Sequence, residues 1–70
     1  MKFVIAGNFE EFKYYFPKPD KNIRYVKPHN RGIVHGHKDW ELERVGSWGT
    51  LPLEFINWID YMYITSKRGN

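Results

Sequence analysis

The chain predicts an α/β fold: a small, mainly parallel three-stranded sheet packed on two helices, in the order strand, helix, strand, long loop, strand, helix. Three observations carry this. A short apolar run near the start is cut off by Gly7-Asn8 and followed by helically spaced phenylalanines. A second apolar segment alternates with polar residues and ends at a proline. A third stretch, after Pro52, carries apolar residues at the spacing of one helix face.

Phe3-Val4-Ile5-Ala6 is rich in strand formers, and a first strand is expected over residues 2–6. Asn8 is a good helix N-cap, and Glu11, three positions on, suits both a capping-box-like pair and the positive end of the helix dipole. Phe9, Phe12 and Phe16 then form a stripe, and Pro17 with Pro19 forbids continuation. The first helix therefore spans about two turns. Asn22-Ile23-Arg24-Tyr25-Val26 reads as the second strand, ended by Lys27-Pro28. Strand, helix and strand make a parallel crossover unit.

Residues 27–40 hold two glycines, three histidines and a proline, and show no usable period. They read as a loop, and loops of this length in compact domains are often functional. Glu41-Leu42-Glu43-Arg44-Val45-Gly46 alternates weakly and reads as a third strand. Pro52 suits a first helical turn. From there Phe55, Ile56, Ile59, Met62 and Tyr63 share one face of a helix reaching about residue 66, with Glu54, Asn57 and Asp60 opposite and Lys67-Arg68 at its negative end.

Size limits what such a chain can do. Seventy residues form one domain, residues 1–70, whose core rarely supplies more than ~3–5 kcal/mol without a staple. With no cysteine there is no disulfide and no thiolate metal site. Stability must come from dense packing or from self-association into a homo-oligomer. Aromatic residues, 19% of the chain, favour packing and argue against disorder. The start Met1–Ala6 has one positive charge and a four-residue apolar run, too short for a signal peptide or membrane span. A cytoplasmic, membrane-free setting is the expectation, which the missing cysteines also fit. The net charge of +3 is uneven: residues 1–38 hold 8 basic and 3 acidic groups, and residues 39–70 hold 3 basic and 5 acidic. Such asymmetry suits phosphate or an acidic partner, or is incidental on so small a domain.

Candidate site residues follow from this layout. Gly7-Asn8, between a strand and a helix, is where backbone N–H groups can hold phosphate, although the further glycines of a dinucleotide fingerprint are missing and a tight turn with a cap explains the same residues. Arg31 beside Gly32 presents a guanidinium fork to phosphate or carboxylate, with Lys27, Arg24 and Lys38 in support; the plainer reading is a solvated loop in which Gly32 supplies a positive φ. His29, His35, His37 and Asp39 invite a metal, with His35 and His37 on one side of an extended segment, but nothing completes the set and no metal is expected. No nucleophile sits in a recognisable elbow and no cofactor motif is present, so neither catalysis nor a cofactor is expected. Seven aromatic residues, Tyr14, Tyr15, Trp40, Trp48, Trp58, Tyr61 and Tyr63, outnumber what this framework can bury. Some must face solvent. Trp40, in a polar loop, is the expected exposed member, and with Arg24, Arg31, Lys38 and Arg44 it forms the expected partner surface; Trp48 and Trp58 are expected to finish the core.

The run Phe3-Val4-Ile5-Ala6-Gly7-Asn8, then Tyr25-Val26, Arg31-Gly32 and Arg44-Val45-Gly46-Ser47-Trp48 before an amphipathic helix, resembles a pattern in very short phage-encoded Rossmann-like proteins. The resemblance implies a half-Rossmann layout and a phage accessory role. The chain departs from it between the second and third strands, where Pro28 and three histidines stand in place of a helix. The expected function is a non-enzymatic protein that binds and inhibits or modulates a host complex, such as a defence system or a polymerase. The alternatives are a binder of a nucleotide or other phosphorylated small molecule, at Gly7, Asn8, Arg31 and Gly32, and, less favoured, a nucleic-acid binder using the basic first half.

Overall fold

In a computed structural model, which describes residues 1–68, the three strands are β1 (Lys2–Ile5), β2 (Ile23–Tyr25) and β3 (Glu41–Arg44), and the helices are α1 (Phe9–Tyr15) and α2 (Leu53–Lys67). The strand order is β2-β1-β3. Both pairings are parallel, with Phe3 opposite Arg24 on one side and Leu42 on the other.

The central position of β1 explains its composition. A parallel strand covered on both faces reads as a continuous apolar run rather than an alternation. Phe3, Val4, Ile5 and Ala6 are accordingly all buried. Side chains alternate across the sheet, and two cores result. Phe3 and Ile5 pack with Val26, Val34, Trp40, Phe55 and Ile59 beneath α2, while Val4 and Ala6 pack with Phe12 and Val45 beneath α1. The helices thus cover opposite faces.

Local chemistry sets each boundary. Asn8 Oδ1 accepts from the Glu11 N–H at 2.8 Å, which starts α1. Pro17 forbids another turn. Of the predicted phenylalanine stripe, Phe12 is buried and Phe16 half-buried, whereas Phe9 is 56% exposed and lies against Phe12 and Tyr25. In α2, Phe55 and Ile59 reach the core, and Ile56, Met62 and Tyr63 are half-buried around them, as the spacing predicts.

The stretch 27–40 departs from its reading as a plain loop. Residues Pro28–Val34 form a 3-10 segment with a kink at Asn30, started by Asn30 Oδ1 accepting from the Lys27 N–H at 2.9 Å. This segment, not a full helix, spans the β2-to-β3 connection, and Val34 seals the α2-side core. Within residues 27–40 the positive φ angles fall at Gly36 and Asp39, beyond this segment and not at Gly32, so Gly32 is not there for backbone freedom.

Trp40 is the clearest correction: the side chain is 1% exposed. It directly precedes β3 and stands edge-on to Phe3 at 5.0 Å and to Tyr63 at 5.7 Å. Its polar neighbours His37-Lys38-Asp39 face solvent, and the chain turns the one large apolar side chain inward. Backbone holds the turn: the Asp39 N–H donates to the Ser66 carbonyl at 3.1 Å, and the Glu41 N–H to the Met1 carbonyl at 2.9 Å. Truncating a buried tryptophan costs roughly 3–5 kcal/mol, as much as a core of this size supplies. Trp40→Ala should therefore abolish the cooperative thermal transition seen by circular dichroism; a cooperative transition within a few degrees of the parent would contradict this packing.

Candidate functional site

In open parallel sheets the ligand crevice lies at the carboxyl ends of the strands, where successive connections leave on opposite faces. Here α1 follows β1 on one face and α2 follows β3 on the other, so that point falls between Gly7 and Gly46-Ser47. Donors converge there. The N–H of Gly7 and the N–H of Ser47 point to one oxygen, at 3.0 and 2.9 Å, and the Ser47 hydroxyl lies 2.9 Å from it as well.

That oxygen is Oε1 of Glu11. The Ser47 hydroxyl is also 2.9 Å from Oε2, so a side chain from the first turn of α1 fills the anion position of the crevice. The donors from Ser47, first its N–H and then its hydroxyl, together with the Gly7 N–H, hold the Glu11 carboxyl below its ordinary pKa against the opposing effect of desolvation. Glu11 therefore closes the N-cap differently from a capping box: Asn8 takes the Glu11 N–H, but the carboxylate reaches Gly7 and crosses to Ser47.

The two glycines make room for it. A Cβ on Gly7 would stand 2.0 Å from Ser47 Oγ and 2.6 Å from Glu11 Oε1. One on Gly46 would stand 2.5 Å from the same oxygen, and Gly46 has a φ of +60°. Sequence reasoning treated Glu11 as a cap and missed Ser47 as its partner, 36 residues away; only the parallel alignment of β1 with β3 brings them together.

The phosphate set Gly7, Asn8, Arg31 and Gly32 is not assembled. Gly7 and Asn8 belong to the Glu11 network, while Arg31 and Gly32 lie in the 3-10 segment on the α2 side. Arg31 is fully engaged: NH1 and NH2 donate to the two Glu54 carboxylate oxygens at 2.5 and 3.0 Å, and Nε to the Pro28 carbonyl at 3.1 Å. Its hydrogen bonds to Glu54 raise the Arg31 pKa and lower that of Glu54. The guanidinium lies over Phe55 and Trp58, at 5.3 and 5.4 Å from their ring centroids. Its work is to tie the 3-10 segment to the first turn of α2.

The expected partner surface also divides. Arg44 pairs with Asp60 and covers Trp48, and Trp40 is buried. Trp48 and Trp58 pack at the margin of the core, as expected. Arg24 and Lys38 are exposed and make no ion pair or side-chain hydrogen bond among the described residues. The histidines separate: His35 stands edge-on to Trp58 at 6.0 Å and His37 edge-on to Phe3 at 5.4 Å, with Gly36 turning the chain between them. Among the described residues no three His, Asp or Glu side chains gather to hold a metal, and no helix is long and apolar enough to cross a membrane.

Exposed aromatic and aliphatic residues mark a surface the sequence did not single out. Leu53, Tyr61 and Ile64 are 70%, 67% and 52% exposed. Together with exposed Asn57 they fall at i, i+8, i+11 and i+4 of α2, on the side turned from Phe55 and Ile59. The signal is present in the sequence, since apolar residues occur on both sides of this helix, but the five core-facing residues already account for a buried face. No protein-family model, curated protein or solved structure matches the chain.

The Glu11 network yields two tests. A carboxyl whose folded pKa is depressed stabilises the fold above its unfolded pKa and loses that contribution as pH falls through the folded value. Glu11→Gln should thus lower the melting temperature at neutral pH, with the gap to the parent closing as pH falls below the ordinary glutamate range; a gap independent of pH would contradict the charged network. Gly46→Ala, which places a Cβ at positive φ against the carboxylate, should cost roughly 1–3 kcal/mol in denaturant unfolding, and a neutral result would remove the steric argument.

Proposed function

We propose that this domain is a non-enzymatic binding module that docks on a partner protein through the outward face of α2. One observation carries the reading: the exposed row Leu53, Asn57, Tyr61 and Ile64 on a helix whose opposite face already fills the core. From Leu53 to Ile64 the row runs roughly 16 Å along the axis. A helix that carries apolar side chains on its outward face as well as its core face suits docking into an apolar groove of the partner. Aromatic and branched side chains of this kind are frequent anchors at such contacts.

Other features support a non-catalytic role. The Ser47 hydroxyl is committed to Glu11, the Thr50 hydroxyl donates to the Ser47 carbonyl at 2.7 Å, and the Ser66 hydroxyl donates to the Tyr63 carbonyl at 2.8 Å. Each of these hydroxyls is thus engaged within the fold, by the Glu11 carboxylate or by a backbone carbonyl. A nucleotide at the crevice would have to displace the Glu11 carboxylate from three donors, which weighs against the small-molecule alternative. The resemblance to short phage-encoded proteins makes a bacterial host complex, a defence assembly or a polymerase, the partner class, inhibited or modulated by occlusion of its groove.

The test is affinity capture from bacterial lysate with three tagged proteins: the parent, Ile64→Glu, and Lys18→Glu as a charge control on an exposed loop. The parent and the control should recover one protein in stoichiometric amount. Ile64→Glu should lose it about tenfold or more, which corresponds to about 1.4 kcal/mol or above, with an unchanged melting temperature. Equal recovery by all three, or a released small molecule with no protein, would overturn the reading.

A further inference from the structure

The open edge of β2 combines three properties that the α2 surface lacks. It offers unpaired backbone groups. The register turns the N–H and C=O of Arg24 toward β1, so those of Tyr25 and the carbonyl of Ile23 face outward. The Ile23 N–H is already donated to the Asp20 carbonyl at 3.0 Å and the Lys27 N–H to Asn30 Oδ1, which leaves, among the described residues, the Tyr25 N–H as a donor flanked by two acceptors. Beside this edge runs a groove of about 370 Å³ lined by Lys21, Ile23, Arg24, Tyr25, Asn30 and Ile33.

Its charge is one-sided. Residues 12–38 contain seven basic residues and a single acid, Asp20, whose carboxylate accepts from the Asn22 N–H at 2.7 Å. Among the described residues the ion pairs use Lys2, Arg31, Arg44 and Lys67. Lys21, Arg24 and Lys27 are exposed and take part in none. The same cations decide against a second copy. Pairing β2 with β2 of another molecule would set Arg24 and Lys21 against like charges, and like charges across a ladder destabilise it.

We propose that the free edge of β2 receives an extended acidic peptide segment of a partner as a fourth strand, whose backbone bonds to Ile23 and Tyr25 while its carboxylates meet Lys21 and Arg24. Strand addition of this kind takes affinity from the main chain and specificity from alternate side chains. Ile23, on the face of the sheet opposite Arg24, supplies aliphatic contact, so the favoured segment alternates acidic with branched aliphatic residues. The site is separate from the α2 row and does not depend on it.

Fluorescence anisotropy tests this with a labelled short peptide of alternating glutamate and valine. Three comparators accompany it: the same peptide N-methylated at alternate residues, its lysine-valine counterpart, and a single-stranded oligonucleotide of equal charge. Saturable binding of the glutamate peptide is expected, weakened roughly tenfold or more by Arg24→Glu and by Lys21→Glu, unaffected by Ile64→Glu, and lost for the N-methylated and lysine peptides. Circular dichroism of the two charge reversals checks that the fold persists; both positions are exposed. No binding of the glutamate peptide, equal binding of the N-methylated one, or tighter binding of the oligonucleotide would overturn the proposal, the last in favour of a nucleic-acid site. Because Ile64→Glu leaves this readout untouched, failure here and failure of the α2 interface are distinguishable.

Discussion

Burial of β1 on both faces is the constraint from which the rest of the molecule follows. Four consecutive apolar residues, Phe3 to Ala6, have to be covered from two directions in a chain with room for only two short layers. One helix is committed to each face, and the connection from β2 to β3 must cross the α2 face as a compact 3-10 segment. Each fully buried side chain of this kind contributes roughly 1.5–3 kcal/mol, and a domain this small has few of them. The polar loop before β3 is therefore drawn into service, and Trp40 becomes one of the largest wholly buried side chains.

The same arrangement creates the crevice at the strand ends and closes it. Parallel strands β1 and β3 bring the N–H groups of Gly7 and Ser47 to one point, and unsatisfied donors there would be costly. The Glu11 carboxylate satisfies them from within. It couples the start of α1 to the turn after β3, across 36 residues, so one side chain takes the place that an anion can occupy at the strand ends of open parallel sheets. The two surfaces proposed for recognition, the back of α2 and the edge of β2, both lie outside this crevice. Exposed pairs such as Lys67 with Asp39 and Glu41, or Lys2 with Glu43, add orientation more than stability.

The sequence disclosed what local periodicity encodes. The strands, both helices, the Asn8 cap and the core face of α2 were legible because each depends on residues within one or two turns of one another. Trp40 was not, because its burial is set by the distant partners Phe3 and Tyr63 while its neighbours in sequence are polar. Arg31 was legible as a fork but not as an occupied one, since Glu54 lies 23 residues on. Gly7-Asn8 was legible as a tight turn with a cap; that the Gly7 N–H serves the Glu11 carboxylate together with Ser47 required the sheet register. Such errors share one cause, the pairing of residues far apart in the chain.

The central claim is that the crevice of this fold is filled from within by a charged carboxylate. It is tested most directly by following the side-chain carboxyl carbon of Glu11 and the amide signals of Gly7 and Ser47 by NMR as pH is lowered. The account predicts that Glu11 titrates below the ordinary glutamate range and that both amides shift along the same curve. An ordinary glutamate titration, with the Gly7 and Ser47 amides unmoved through it, would contradict it.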